Sequence, residues 1–245
     1  MVNKNINETI DSLIKITTKS KDNSTLSFKF DIHALMDIQS EVIKKYKFPY
    51  ERKIDMLDRF SVQILEEVQE FTDFIVADET LEDFEGKLFE LIDLILYTGS
   101  LLSTYKDIYE HDMSRLENLN IVVFQYNTNN LYYADEHEIR LNSDIRKYAL
   151  WALMASRMEF PERKYHKIPN KKEMKEIESR SDYRDFQVVD RLRVFLADLL
   201  YSLKDMLKLR ESLVGSNNNM DPEEFIIYFS ECLSKKISMN LKLNS

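Results

Sequence analysis

The sequence predicts an all-α protein, a bundle of long antiparallel helices folded as one domain over residues 1–245. Three observations lead there. The chain holds only 3 Gly and 4 Pro, whereas strand-rich folds need frequent turn residues. Apolar residues recur at three- and four-residue spacing over long stretches, the period of a helix with one buried face. No low-complexity tract or flexible linker divides the chain, and 44% hydrophobic residues suffice for one sizeable core.

The elements follow in order. Residues 1–27 read as a weak amphipathic segment (Ile6, Ile10, Leu13, Ile14) and then a polar loop, KSKDNST. A first firm helix is expected from Asp31, its N-cap, to Tyr46, with Phe48-Pro49 breaking it. A long helix over residues 51–77 carries Met56, Phe60, Ile64, Val68, Phe71 and Ile75 on one stripe. The segment DETLEDFEG turns the chain, and Thr80 with Asp83 forms a helix-start pattern for a helix over 81–109. Residues 119–135 are β-branched, aromatic and Asn-rich, which suits a short hairpin or an ordered loop. Helices are expected again over 142–158, with the single Trp151, and over 185–213. Pro222 opens the last, over 222–241. One internal echo stands out. FELIDLILYTGSLL (89–102) resembles VFLADLLYSLKDML (194–207), pairing Asp93 with Asp198; a duplicated helical pair and a chance match of two apolar helices both explain it.

The formal net charge of −9 argues against a nucleic-acid binder held by phosphate contacts and against an anionic membrane surface. A lone Cys232 excludes an internal disulfide framework. The N-terminal MVNKNINETIDSL is polar, and no uninterrupted apolar run reaches the ~20 residues of a spanning helix. A cytoplasmic location is the expectation.

The informative stretches are ILEEVQEF (64–71) and LFELIDLILY (88–97). Glu90 and Asp93 interrupt an otherwise apolar helix, so they should lie in or beside the core. An ionised carboxylate there is costly unless it is paired, protonated or bound to a cation. The i, i+3 spacing puts both on one face, and Glu67 and Glu70 repeat it on the preceding helix. Four carboxylates without an adjacent basic residue then converge, and oxygen-only ligands select Mg²⁺ or Mn²⁺ over zinc. Such a cation bridges phosphate oxygens, which makes phosphoryl chemistry the leading class. A solvated acidic face, or a structural network completed by a buried Arg or Lys, is the competing reading. Glu66 reads as a surface acid or as a partner supporting the ligand carboxylates, and His33, His111 and His137 show no ligand spacing.

EEVQE followed by ELID resembles the E-E-x-x-E … E-x-x-D signature of the all-α nucleoside triphosphate pyrophosphatases, which include MazG-type enzymes and dimeric dUTPases. Chain length, helices through the second half and the echo at Asp198 look more like the dimeric dUTPases. The resemblance implies a homodimer hydrolysing dUTP to dUMP and pyrophosphate with Mg²⁺, and Glu70 as the base. It gives Gln39, in LMDIQSEV, the base-reading role. Lys236 and Asn240 keep the spacing of a late substrate-binding helix, although Leu243 stands where Arg is expected and Leu96 where dUTPases often carry His. Phage members also resemble regulators that bind protein partners. Another nucleotide substrate, such as dCTP or a MazG-type range, and a purely helical interaction protein are the alternatives. Arg163, Lys164 and Lys167, in the densest basic stretch, could supply the missing phosphate charge, a solvated basic loop or a structural clamp on acidic helices being the equal alternative.

Overall fold

The computed structural model describes residues 2–21, 25–45, 53–76, 80–109, 113, 116–124, 134–158, 181–214 and 220–242. Its elements, in order, are helix α1 (Val2–Asp11), strands β1 (Ile14–Lys19) and β2 (Thr25–Phe30), helices α2 (Ile32–Lys45), α3 (Lys53–Asp73) and α4 (Leu81–Tyr109), strand β3 (Leu119–Phe124), and helices α5 (Ala134–Met158), α6 (Ser181–Tyr201), α7 (Leu203–Val214) and α8 (Pro222–Lys242).

The start signals act as local chemistry dictates. Asp31 Oδ1 accepts the amide hydrogens of His33 (3.0 Å) and Ala34 (3.1 Å), capping α2. Asp83 Oδ2 accepts from the Thr80 amide (2.9 Å) and hydroxyl (2.7 Å) while the Asp83 amide donates back to Thr80, closing a capping box at α4. Asp221 and Glu224 do the same for α8.

The molecule is mostly helical, but an all-α description omits a small sheet. The three strands run β1-β2-β3, both pairs antiparallel. The expected loop KSKDNST joins two strands that were not expected: β1 ends at its first residue, Lys19, and β2 begins at its last, Thr25, with a bulge in β1 beside Thr17. The hairpin or loop expected at 119–135 begins as β3, which pairs with β2 rather than locally, Phe28 opposite Ile121 and Leu26 opposite Val123. Leu26, Phe28, Phe30, Ile121 and Val123 are all buried, so this sheet face is what the helices cover. The single helix expected over 185–213 is also two. It breaks at Ser202, whose hydroxyl donates to the Leu199 carbonyl (2.6 Å) and whose own carbonyl accepts from Asp205 and Met206 to start α7.

Helix α4 is the hub, packed against α2, α3, α6, α7 and α8. By length and composition it is apolar enough to cross a membrane, yet 78% of its apolar window is buried inside this protein. Its pairing with α3 is antiparallel: Gln63 meets Tyr97, Phe71 meets Lys87, and Phe74 meets Gly86.

Lys87 fastens the end of that pair. Its side chain is fully buried, and the ammonium donates to the carbonyls of Phe71 (3.1 Å) and Phe74 (2.6 Å) and to Glu138 of α5 (2.7 Å). All three ammonium hydrogens thus have acceptors, and the positive charge sits at the C-terminal end of α3, where the helix dipole favours it. Glu138 also accepts the Val76 amide, so α3, α4 and α5 are tied at one point.

Candidate metal centre

Glu67 lies on α3 at the margin of the buried stripe made by Ile64, Val68 and Phe71. Glu90 and Asp93 lie one turn apart on α4, flanked by buried Leu91, Ile92 and Leu94. The antiparallel pairing brings the three together. One oxygen from each of Glu67, Glu90 and Asp93 lies within 4.8 Å of the others, and all three residues are half-buried.

Electrostatics follow from that proximity. Burial, then Asp93 and Glu90, pushes the Glu67 carboxyl up to about 8. Burial is also the largest cause of the upward shifts at Glu90 and Asp93. Glu67 and Glu90 share a hydrogen bond, which is one proton held between two carboxylates. Glu90 Oε2 is buried and meets no N–H or O–H donor of the chain. Crowded half-buried acids that hold on to a proton, with a buried oxygen that no donor of the chain reaches, form a site with an unmet demand for positive charge.

Part of that demand is met by Lys236, which the resemblance made a substrate contact rather than a partner of the acids. Lys236 Nζ donates to Asp93 Oδ2 at 2.5 Å, from α8. The expectation that no basic residue would adjoin the acids is therefore corrected: one ammonium does, and it holds Asp93 alone. The Asp93 side chain is 13% exposed and that of Lys236 27%. Asn240 stands half-buried one turn further along α8.

The remaining expected residues divide. Glu70 is exposed one turn along α3, outside the triad, but close enough that its charge acts on Glu67, Glu90 and Asp93. Glu66 is exposed, as expected of a surface acid. Gln39 is only 2% exposed, in the α2–α4 interface. Its Oε1 accepts from the Ser100 hydroxyl (2.9 Å), while its Nε2 is buried without a partner. Gly99 permits that approach, because a Cβ there would lie 2.7 Å from Leu35 Cγ and 3.2 Å from Gln39 Cγ. His33 is structural, its Nε2 hydrogen-bonded with the Leu116 carbonyl (2.8 Å). Arg163, Lys164 and Lys167 lie outside the described residues.

Sequence reasoning missed Lys87 and Glu138. The available signal was a lysine at position 87 just ahead of the apolar run, three residues before Glu90 and so on the same helix face. The oxygen-only donor set and the orphaned Glu90 oxygen fit a hard divalent cation. Searches against protein-family models, curated proteins and solved structures find no match to this chain.

Proposed function

We propose that the chain is a Mg²⁺-dependent pyrophosphohydrolase of deoxynucleoside triphosphates, Mn²⁺ serving as a substitute, with dUTP, cleaved to dUMP and pyrophosphate, the first substrate to test. The observation that carries this reading is the convergence of Glu67, Glu90 and Asp93 across two core helices, with one proton retained and one buried oxygen unpartnered. These three, with Glu70, would hold the metal. When bound, it supplies charge against the phosphates and a more acidic water.

The chain's own groups do the rest. Glu70, exposed beside the triad, accepts the proton of the attacking water as its oxygen bonds to phosphorus and pyrophosphate leaves. Lys236, bonded to Asp93 in the absence of a cation, would be free to contact phosphate oxygens if that carboxylate served as a ligand, with Asn240 on the same face of α8. Gln39 Nε2, a buried donor lacking an acceptor, is the group a uracil carbonyl would satisfy.

Pyrophosphate release, measured over dUTP, dCTP and a purine triphosphate with increasing Mg²⁺, tests the reading. Metal-dependent turnover that Glu70→Gln lowers by at least about 100-fold supports it. Preference for dCTP or a purine removes the uracil assignment alone. The Lys236–Asp93 pair favours a second reading, in which the acids are a structural network of a helical, protein-binding regulator. That reading predicts neither turnover nor Mg²⁺ binding in a calorimeter.

A further inference from the structure

Between residues 139 and 151 every exposed position of α5 falls on one arc of the helix, while Leu141, Ile145, Ala149 and Ala152 face the core. Three large apolar side chains stand on that outward arc: Ile139 (68% exposed), Leu150 (53%) and Trp151 (50%). An exposed apolar residue by itself is ordinary. Three on one arc, with the chain's only tryptophan among them, mark a surface that another molecule covers.

Cations stand between and beside them. Arg140, Arg146 and Lys147 are exposed on the same arc. The Arg191 guanidinium of α6 lies over the Trp151 ring, 5.2 Å from its centre, and Val194 follows Arg191 one turn along α6. Arg140 has a carboxylate, Asp144, at 3.8 Å on the margin of the arc. Arg146 donates to the Thr72 hydroxyl (2.6 Å) and Lys147 lies over the Tyr148 ring (5.8 Å); neither is paired with a carboxylate among the described residues. Two further exposed acids lie near in sequence to these contacts: Asp190, before Arg191, and Asp73, after Thr72, which accepts from Gln69 (2.6 Å). Even with Asp144, Asp190 and Asp73 set against the four cations, this face is net positive in a chain of formal net charge −9. On α3, by contrast, the exposed charges are acids, Glu66, Glu70 and Asp73 among them.

That charge selects the occupant. A second copy laid face to face on this one would oppose like charges, because an isologous contact matches a patch with itself. A polyanion would meet the cations, but the acidic chain as a whole repels it and the aliphatic side chains would stay wet. An acidic segment with apolar side chains at helical spacing satisfies both parts of the face.

We propose that the outward face of α5, with Arg191 and Val194 beside it, docks an acidic amphipathic helix of a partner protein. Apolar side chains of that helix cover Ile139, Leu150 and Trp151, and its carboxylates meet Arg140, Arg146 and Lys147. The face is about 18 Å long from Ile139 to Trp151, the reach of anchors at i, i+4, i+7 and i+11 on the incoming helix. Tryptophan and arginine are the residue types that carry most of the energy in such interfaces. The inference is independent of hydrolysis at the triad, to which α5 contributes no ligand.

Trp151 is the only tryptophan, so its emission reports this face alone. The full chain is titrated with a helical peptide of about 18 residues, carrying leucine at i, i+4, i+7 and i+11 and glutamate between them. The emission should shift to the blue and saturate with a Kd of about 10–100 µM. The same peptide with lysine in place of glutamate should leave it unmoved. By calorimetry, Arg140→Glu/Lys147→Glu, at exposed side chains, and Trp151→Ala should each weaken the glutamate peptide at least about tenfold. No response at about millimolar glutamate peptide overturns the proposal, as does an equal response to the lysine peptide or binding indifferent to those substitutions. A blue shift that follows protein concentration, with a doubled mass, would assign the face to a second copy. One produced by oligothymidylate or by phosphatidylserine vesicles would assign it to a phosphate-bearing surface. Either result overturns the proposal too.

Discussion

Replacing Glu67 with Gln should make the metal-free protein more stable while destroying its capacity for Mg²⁺. The folded chain holds the Glu67 proton up to about pH 8, whereas an ordinary glutamate releases it near 4.5. Over that interval the folded state binds more protons than the unfolded state, so stability must fall as pH rises from about 5 to 8. The upward shifts of Glu90 and Asp93 add with the same sign. One extra proton corresponds to at most about 1.4 kcal/mol per pH unit. Glu67 is only half-buried, and solvent screening reduces the total over the interval to on the order of 1–2 kcal/mol. For a chain of this size that is a change in Tm of about 3–6 °C. A neutral glutamine keeps a donor for Glu90 and has no charge to lose. Thermal denaturation of both proteins in chelator, at pH 5, 6, 7 and 8, reads the effect directly. The wild-type Tm should decline across the series, and that of Glu67→Gln should stay flatter and lie higher at pH 8. Adding millimolar Mg²⁺ at pH 8 should raise the wild-type Tm and leave the variant unmoved. A variant that melts at or below wild type at pH 8, with the wild-type decline intact, would refute the shared-proton account.

Lys236→Gln removes the ammonium that competes for Asp93, a repulsion of on the order of 1–2 kcal/mol at this partial exposure; calorimetry should show Mg²⁺ binding roughly tenfold more tightly, and unchanged or weaker binding would count against the competition. Lys87→Met takes the ammonium away from buried Glu138 and from the Phe71 and Phe74 carbonyls, which should cost about 3–5 kcal/mol in urea denaturation; a loss below about 1 kcal/mol would show that the clasp is dispensable. Gly99→Ala forces a methyl to 2.7 Å from Leu35 Cγ, and should lower stability by about 1–3 kcal/mol. Full retention of stability there would mean that α2 and α4 separate readily.

How much was legible in advance depends on the range of the interaction. Asp31, Thr80 with Asp83, and Pro222 announce helix starts because their hydrogen bonds or fixed backbone angles act within a few residues, and each stands at a helix start. The stripe through Ile64, Val68 and Phe71 marked the buried face of α3 for the same reason. Strands β1 and β2 were missed although Leu26, Phe28 and Phe30 alternate with Ser27 and Lys29, the period of a half-buried strand; β1 is weaker, only Ile14 and Ile16 alternating before TTK, and the partner β3 lies nearly a hundred residues on. The break at Ser202 carries no Gly or Pro to betray it.

From its sequence alone, then, the chain determined its helical character and the placing of Glu67, Glu90 and Asp93 on facing stripes, since helical periodicity and a short connection between α3 and α4 are local properties. Only the tertiary structure decided that Lys236 reaches Asp93 from 143 positions away, that Glu70 stays at the solvent edge, that Gln39 packs beside Gly99 with its Nε2 unpartnered, and that Lys87 and Glu138 clasp three helices. A buried charge seeks whichever opposite partner the packed core brings within reach, and that choice is made by the assembled chain rather than by any segment of it.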